Sequence, residues 1–144
     1  MSTALSVPHS RLLVLIPSFR HAKYLTARIE SVLGQSWKGE MHVLVIDDAS
    51  PDNTEEVLQR YEGRRNVTIY RRPVNSGSPF SAWQDVAENA HCEYLWIAES
   101  DDTCKPDFVE GGMRAFEQNP DGVLYYTHSW YTTASDEICG HSLN

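Results

Sequence analysis

The hydrophobic residues of this chain follow two periods that alternate along the sequence. Four short segments are continuously apolar or rich in β-branched and aromatic residues, as expected for strands buried in a sheet. These segments are residues 11–16, 41–46, 66–70 and 93–98. A further segment of this kind, residues 123–132, follows a turn at 119–122 and predicts a last strand.

Helical spacing fills the intervals between the predicted strands. Residues 25–33 place apolar side chains on one helix face, and Gly34 predicts the end of that helix. Ser50 as an N-cap and Pro51 in the first turn predict a second helix, which ends at Gly63. The same spacing predicts two more helices, over residues 80–90 and 107–118.

The order of these elements predicts the fold class. Strands and helices that alternate with short links form a parallel sheet with right-handed crossovers, which defines an α/β fold. The length of 144 residues is that of one domain. Ligands of such open sheets bind beyond the carboxyl ends of the strands, so we expect the functional site at that edge.

Charge and composition exclude several classes of function. The net charge of −8 argues against nucleic-acid binding, which needs a basic surface. No apolar run approaches the ~20 residues that cross a bilayer, and residues 1–10 lack the pattern of a signal peptide. These features predict a cytoplasmic protein, docked at most on the inner face of a membrane. Cys92, Cys104 and Cys139 match neither a zinc site nor a disulfide framework, and we expect them to be small packing residues.

Two clusters of acidic residues follow predicted strands at the expected functional edge. Asp47 and Asp48 come directly after the second strand, and residues 99–102 (ESDD) come after the fourth. Three carboxylates in the second cluster exceed what a helix cap needs, and they would repel one another without a cation. Glu99 and Asp101 flank one small residue and could share a divalent ion such as Mg²⁺ or Mn²⁺, which prefer hard oxygen ligands.

Other acidic residues have a structural interpretation. Asp52, Glu55 and Glu56 stand at the predicted start of the second helix. Carboxylates there compensate the positive end of the helix dipole. We therefore expect them to stabilise the helix.

Four motifs, in order from residue 11 onward, resemble the inverting family-2 glycosyltransferases of GT-A fold. Residues 14–19 (VLIPSF) are similar to the opening strand of the family, its proline and its aromatic residue. Residues 45–52 (VIDDASPD) resemble its acidic turn, and residues 75–77 (NSG) its asparagine–glycine loop. Residues 96–102 (WIAESDD) resemble its DxD metal motif, with Glu99 in place of the first aspartate.

The resemblance implies a fold and a domain division. The fold would be a GT-A (Rossmann-like) three-layer αβα sandwich with a mostly parallel sheet. Residues 1–10 would form an N-terminal extension, and residues 11–144 the nucleotide-sugar-binding domain.

The resemblance also implies roles for individual residues. Phe19 would lie against the nucleotide base, with Pro17 offering backbone contacts. Either Asp47 or Asp48 would accept a hydrogen bond from the base edge or the ribose. Asn75 and Gly77 would shape the loop that faces the nucleotide.

The acidic cluster after the fourth strand would carry the metal. Asp101 would hold the ion that bridges the diphosphate, with Glu99 as a further ligand. Glu99 and Asp102 would assist near the ribose or the metal. The ion would be Mg²⁺ or Mn²⁺.

The sequence departs from the family pattern in the third helix. Many members carry an alanine–arginine–asparagine triplet, whereas residues 82–84 are Ala-Trp-Gln. The helical spacing of Trp83 predicts a core residue. Arg71 and Arg72 could meet a phosphate, but we expect them to be a solvated surface pair.

A second departure concerns the end of the chain. The family domain continues well beyond its metal motif and there supplies the acceptor platform and the general base. This chain ends about forty residues after Asp102. Asp136 and Glu137 lie in a polar stretch that we expect to be a frayed terminus. The sequence therefore looks truncated, with the general base outside this chain.

The function implied is transfer of a sugar from a UDP-linked nucleotide diphospho-sugar to a hydroxyl of a glycan or lipid-linked acceptor, as in envelope polysaccharide synthesis. The alternative is a non-catalytic nucleotide-sugar-binding or partner subunit, in which an exposed sheet edge favours a homodimer. Peripheral membrane association is compatible with both. Residues 43–48 (VLVIDD) also resemble a phospho-receiver domain, but that fold places its acid pair after the first strand.

Overall fold

The computed structural model describes residues 7–133, 135 and 137–142. The chain divides into two compact units, the first ending at Asp107 and the second beginning at Phe108. The division into an N-terminal extension, residues 1–10, and a nucleotide-sugar-binding domain, residues 11–144, stays a prediction.

The first unit alternates strands and helices as the sequence predicts. Its strands are β1 (Ser10–Ser18), β2 (Met41–Asp47), β3 (Val67–Arg71) and β4 (Cys92–Ile97). Its helices are α1 (Ala22–Leu33), α2 (Thr54–Gln59) and α3 (Ser81–Asn89). The four strands form one parallel sheet in the order β3-β2-β1-β4. The fold class predicted from the sequence is thus confirmed.

Helices cover both faces of this sheet. On one face, α3 packs Ala82 and Val86 against side chains of β1 and β2 that point the same way. On the other face, α1 buries Leu25, Ile29 and Val32 completely and contacts both β1 and α2. Strand β1 is therefore covered on both sides, which explains its continuous apolar run.

The start of α2 differs from the prediction. The helix begins at Thr54 with Asn53 in the N-cap position, not at Ser50. The Ser50 hydroxyl instead accepts a hydrogen bond from the Arg20 backbone at 3.0 Å, which ties together the turns that follow β1 and β2. Asp52 accepts from the backbone N–H of Thr54 at 3.2 Å, so its expected role at this helix start is retained.

The second unit contains α4 (Phe108–Gln118) and an antiparallel pair, β5 (Trp130–Thr132) and β6 (Ile138–His141). Tyr125 packs on α4, with ring centroids 5.9 Å from Phe108 and 6.4 Å from Phe116. An added Cβ on Gly112 would lie 3.0 Å from the Tyr125 ring, so this helical glycine permits the close approach. These internal contacts are why the segment forms a unit of its own.

Two predictions for the second unit are wrong. Of the predicted strand over residues 123–132, only Trp130–Thr132 forms, and residues 123–129 form no strand although their composition favours one. Strand preference depends on packing against a neighbouring strand, and Val123 is 96% exposed. The polar stretch at Glu137 is not frayed, because the Glu137 carbonyl accepts from Thr133 N–H at 2.9 Å in the β5–β6 turn. Asp136 lies outside the described residues.

Two further features bear on the sequence-based expectations. The three cysteines are free thiols, and Cys139 is exposed, so it is not the packing residue that was expected. Among the described residues, no helix has the length and apolar character needed to cross a bilayer.

Candidate functional site

A cleft of about 360 Å³ lies at the carboxyl edge of the parallel sheet. The strand order reverses between β1 and β4, because β1 connects through α1 to β2 on one side and pairs with β4 on the other. Ligands of doubly wound sheets bind beside such a reversal, beyond the carboxyl ends of the strands. The cleft is therefore where this topology predicts a ligand.

Four segments of the first unit line this carboxyl-edge cleft. They are the turn after β1, the end of β2, the segment from the end of β3 into α3, and the turn after β4. Six of the predicted site residues are among the lining residues, namely Pro17, Phe19, Asp48, Asn75, Gly77 and Glu99. The lining residues do not include Asp47, Asp101 or Asp102. The structure thus brings together the two acidic turns through Asp48 and Glu99, and their roles toward a ligand remain predictions.

The turn after β1 presents Phe19 to the cleft. Its side chain is 38% exposed, and the Arg20 guanidinium carbon lies 5.1 Å from the ring centroid. Arg20 has a φ of 60°, and Ala49 in the neighbouring turn has a φ of 55°. Non-glycine residues in this left-handed region carry strain of order 1–3 kcal/mol, which is most common at functional sites.

Asp47 and Asp48 have different environments although they are adjacent. Asp47 is buried, and its Oδ1 accepts a hydrogen bond from Ser50 N–H at 3.2 Å within the turn. Asp48 points toward the cleft and its backbone N–H donates to the Ser18 carbonyl at 2.9 Å. Of the two candidates for a ligand contact, only Asp48 lines the cleft.

The carboxylate of Asp48 is surrounded by donors from the chain itself. Arg72 Nη1 donates to Oδ1 at 2.9 Å and Ser76 N–H donates to Oδ1 at 3.0 Å. Oδ2 accepts from Ser76 Oγ at 2.8 Å and from Asn75 Nδ2 at 3.1 Å. A carboxylate offers about four lone-pair sites, so these donors saturate Asp48.

The electrostatics of Asp48 follow from these contacts. Partial burial, the largest single effect, raises the pKa of Asp48. The hydrogen bonds from Ser76 and Arg72 and the charge of Arg72 outweigh it together, so the pKa lies below its usual value. Asp48 is therefore an ionised group with its charge already balanced.

Arg72 is a largely buried bridge between side chains, which corrects the expectation of a solvated surface pair. Its side chain is 10% exposed, and it contacts Asp85 and Ser81 of α3 as well as Asp48. Arg71, by contrast, points away and pairs with Glu62 at 2.8 Å. We refer to Asp48, Arg72, Asn75, Ser76 and Asp85 as the Asp48 cluster.

The loop that carries Asn75 and Gly77 is shaped by its own hydrogen bonds. The Asn75 side-chain oxygen accepts from Gly77 N–H at 2.8 Å, closing a tight turn. Gly77 has a φ of 73°, a conformation that favours glycine. A Cβ at Gly77 would meet no atom within 4 Å, so the turn, and no close contact within the chain, explains the glycine.

The turn after β4 has the opposite character. Glu99, Asp101 and Asp102 are exposed, and we call residues 99–102 the acidic loop. The pKa of Glu99 is raised. The largest cause is loss of solvent around its carboxyl group, and the negative charges of Asp101 and Asp102 add to it. The charges of Arg28 and His21 act in the other direction. The three carboxylates are thus close enough to repel one another.

Arg28 lies beneath the acidic loop and was not anticipated from the sequence. It is 3% exposed, and its Nε donates to the Glu99 carbonyl at 2.7 Å. Its Nη2 lies 4.0 Å from Asp102 Oδ2, and its guanidinium carbon lies 5.8 Å from the Trp96 ring centroid. A charged residue on the buried face of an amphipathic helix is the signal that could have identified it.

The exposed aromatic residues of α3 also differ from the prediction. Trp83 is 36% exposed and packs edge-on against Phe80, with ring centroids 5.2 Å apart. The buried stripe of α3 consists of Ala82 and Val86, which are four residues apart. Trp83 is adjacent to this stripe and is therefore not a core residue.

The first unit is an α/β fold with a ligand cleft at the reversal point of its parallel sheet. Asp48, which pairs with Arg72, lines one side of the cleft, and the acidic loop lies at the other. The sequence profile of glycosyl transferase family 2 matches residues 13–141, and the chain belongs to this family.

Comparison with individual proteins agrees with this assignment. The chain is 26% identical over 112 residues to the poly(ribitol-phosphate) beta-N-acetylglucosaminyltransferase TarS of Staphylococcus aureus (strain Mu50 / ATCC 700699). That match covers 77% of this chain and 20% of TarS, so the chain spans about a fifth of this relative.

Two solved structures share the fold. One is S. aureus TarS 1-349 in complex with UDP, with a TM-score of 0.68 at 21% identity over 88% of this chain and 43% of that one. The other is the mannosyltransferase PcManGT of Pyrobaculum calidifontis in complex with GDP-Man and Mn²⁺. Its TM-score is 0.67 at 17% identity, over 90% of this chain and 37% of that one. Identities this low establish the fold alone.

Proposed function

We propose that this chain carries the nucleotide-sugar-binding part of a glycosyltransferase. The enzyme would transfer a sugar from a UDP-linked donor to a hydroxyl of a glycan or lipid-linked acceptor in envelope polysaccharide synthesis. The observation that carries the proposal is the carboxyl-edge cleft, which Phe19 and Asp48 line together with Glu99. Family membership and the UDP bound in the related TarS structure support it.

The nucleoside would occupy the side of the cleft formed by β1 and the Asp48 cluster. The exposed Phe19 ring offers a flat apolar surface for a base, and Pro17 adds a backbone carbonyl. Asp48 would act first by holding the loop of Asn75 and Gly77 in place, because its own lone pairs are occupied. A base or ribose donor could reach the Asp48 carboxylate only by displacing one of these contacts.

The acidic loop fits a divalent cation in its chemistry. Carboxylate oxygens suit Mg²⁺ and Mn²⁺. Loss of solvent and then the charges of Asp101 and Asp102 raise the pKa of Glu99, and a cation would relieve the part that is due to repulsion. Within the described part of the chain, no group of three His, Cys, Asp or Glu side chains is arranged to hold a metal by itself. We therefore propose that Asp101 and Glu99 hold the ion together with substrate phosphates, and that Asp102 assists at the metal or the ribose.

Such an ion would neutralise the charge that develops on the departing diphosphate. The residues of this chain would bind and orient the donor while an acceptor hydroxyl attacks the anomeric carbon. In the Asp48 cluster, both carboxylates are paired with Arg72 and are poor candidates for a general base. We assign the base to a part of the enzyme outside this chain, in line with the greater length of TarS.

The proposal is tested by calorimetric titration of UDP, GDP and CDP into the chain, with Mn²⁺, with Mg²⁺ and with EDTA. We expect one nucleotide, UDP, to bind with metal and to bind at least tenfold more weakly in EDTA. Asp101→Ala should abolish this metal dependence. Asp107→Ala, which removes an exposed carboxylate outside the acidic loop, serves as the matched control and should behave like the native chain. Equal binding in Mn²⁺ and EDTA would contradict the assignment.

One observation favours the alternative of a non-catalytic binding or partner subunit. Apolar side chains of the second unit are widely exposed, with Leu124 at 76% and Tyr126 at 77%. Surfaces of this kind commonly mark contacts with another polypeptide. A chain that binds UDP with metal, sediments as a dimer and releases no UDP from UDP-sugars would favour this alternative over the enzyme.

A further inference from the structure

His21 and Ser100 form a contact across the carboxyl-edge cleft that the proposed roles do not use. His21 Nδ1 lies 2.7 Å from Ser100 Oγ, and the two residues are 79 positions apart in the sequence. Both residues line the cleft, His21 from the turn before α1 and Ser100 from the acidic loop. The contact joins the turn after β1 to the turn after β4.

The burial of Ser100 indicates which atom donates in this contact. Ser100 is 1% exposed, and His21 Nδ1 is its side-chain partner in the described part of the chain. A buried hydroxyl that only accepted would leave its hydrogen without a partner, which is unfavourable away from water. We therefore assign the donor role to Ser100 and the acceptor role to Nδ1.

This assignment fixes the chemistry of the other ring nitrogen. A neutral imidazole whose Nδ1 accepts a hydrogen bond carries its hydrogen on Nε2. The ring atom that contacts Ser100 is Nδ1, so this contact leaves Nε2 available to a ligand. The ring is also held by Tyr24, whose ring meets it edge-on with centroids 5.9 Å apart. His21 thus offers a fixed and available N–H donor in the cleft.

The position of this donor selects the part of a ligand that it can contact. His21 follows Phe19 and Arg20 in the chain, and its ring contacts Ser100 in the acidic loop. It therefore stands between the surface proposed for the base and the carboxylates proposed for the metal. In a nucleotide diphospho-sugar, the group between these two points is the diphosphate.

We propose that His21 Nε2–H donates a hydrogen bond to a phosphate oxygen of the donor diphosphate, with Ser100 as the positioning residue that fixes the ring. This inference rests on the proposed function and adds a residue to its binding site. Ser100 also connects this donor to the acidic loop, since it lies between Glu99 and Asp101. One short turn would then carry the cation ligands and also hold the hydrogen-bond donor to the phosphate in position.

The test compares UDP with uridine, which lacks the phosphates. His21→Phe keeps an aromatic ring beside Tyr24 and removes both ring nitrogens, and His21→Ala removes the ring. We expect both variants to bind UDP about tenfold more weakly in Mn²⁺, measured by calorimetry, because a hydrogen bond to a charged group is lost. Uridine binding, measured by NMR titration at millimolar concentrations, should be unchanged. His91→Ala, at an exposed histidine of the same unit, is the matched control.

Ser100→Ala distinguishes the positioning of the His21 ring by Ser100 from the contact of His21 with the phosphate. It should weaken UDP binding about threefold, less than the loss of His21 itself, because the donor remains but its ring is less constrained. Long-range ¹H–¹⁵N NMR spectra of the native chain should show the Nε2–H tautomer of His21, and Ser100→Ala should reduce that preference. The Nε2 resonance should move on addition of UDP and not on addition of uridine.

Three results overturn the inference. They are an Nδ1–H tautomer in the native chain, unchanged UDP affinity in both His21 variants, and equal losses for UDP and uridine. Each of these leaves the proposed function standing if the native chain binds UDP with metal. A native chain that binds no nucleoside diphosphate would instead remove the proposed function, and this inference with it.

Discussion

The two groups of carboxylates at the carboxyl edge of the sheet differ in how far donors of the chain compensate their negative charge. In the Asp48 cluster, the carboxylate is saturated by donors of the chain, and its pKa lies below the usual value. In the acidic loop, three exposed carboxylates repel one another, and the pKa of Glu99 lies above the usual value. Arg28 beneath the loop supplies one positive charge against three negative ones.

The difference indicates which group is complete before a ligand arrives. The Asp48 cluster stabilises the folded chain and gives the loop of Asn75 its shape, because Arg72 pairs with both of its carboxylates and donors of the chain saturate Asp48. The acidic loop has three carboxylates beside Arg28, and an added cation would balance the negative charge that remains. Changes in the first group should therefore act mainly on stability, and changes in the second mainly on cation-dependent binding.

The largest effect is expected when the bridge of the Asp48 cluster is removed. Arg72→Met would leave Asp48 and Asp85 without the arginine that pairs with both. Removal of one partner from a buried ion pair costs several kcal/mol, and with both carboxylates partly exposed we expect about 3 kcal/mol of unfolding free energy. Urea denaturation monitored by circular dichroism measures it.

Arg71→Met is the matched control for this prediction. Arg71 is the preceding arginine, and its ion pair with Glu62 is more exposed, at 31% and 51% for the two side chains. Such pairs contribute at most about 1 kcal/mol. Similar losses in the two variants would show that Arg72 is not a structural bridge.

A second prediction concerns the acid sensitivity of the same cluster. The folded-state pKa of Asp48 is depressed, so its contribution to stability is present above the unfolded pKa and is lost as pH falls through the folded pKa. Asp48→Asn should lower the unfolding free energy at pH 7 by about 2 kcal/mol and should flatten its decline below about pH 4. Urea denaturation at a series of pH values tests this.

Asp121→Asn, at an exposed aspartate of the second unit, is the control and should leave the acid profile unchanged. If Asp48→Asn and the native chain lose stability in parallel between pH 5 and pH 3, the donors around Asp48 do not hold its charge. Cation-dependent UDP binding at pH 7 should persist in Asp48→Asn, at reduced affinity, since the acidic loop is untouched.

The two groups also differ in which of their features could be predicted from the sequence. Apolar runs that end in acidic turns placed Asp48 and Glu99 at one edge of a parallel sheet, because that topology brings strand ends together. The state of each carboxylate was not predictable, since it depends on donors distant in sequence. Asp48 is balanced by Arg72, which lies 24 positions away, and Glu99 is contacted by Arg28, 71 positions away.

Local patterns failed for a related reason. The strand preference of residues 123–129 was not realised, because no neighbouring strand packs against them among the described residues. The helical spacing that includes Trp83 could not distinguish the buried stripe of α3 from the adjacent positions. Arg28 was detectable in principle as a charge among buried apolar residues, whereas the contact of His21 with Ser100 left no local signal.

The smallest effect on the unfolding free energy is expected for a substitution in the acidic loop. This substitution should stabilise the fold, whereas those in the Asp48 cluster destabilise it. The folded-state pKa of Glu99 is raised, so its ionisation opposes folding at pH values above its unfolded pKa. Glu99→Gln should therefore increase the unfolding free energy at pH 7. The gain should be no more than about 0.5 kcal/mol, because solvent screens an exposed group, and it should vanish below about pH 4, where the native carboxyl is protonated.

Glu93→Gln is the matched control for this last prediction, because Glu93 on β4 pairs with Arg11 at 3.0 Å. Its neutralisation removes a favourable surface pair and should lower stability slightly or leave it unchanged. Thermal unfolding in low salt, where surface charges are least screened, should resolve the opposite signs. Glu99→Gln should also weaken the Mn²⁺ dependence of UDP affinity, because it removes a proposed ligand of the cation. A loop that loses stability on Glu99→Gln would instead have a carboxylate that is already balanced, like that of Asp48, and the contrast between the two groups would disappear.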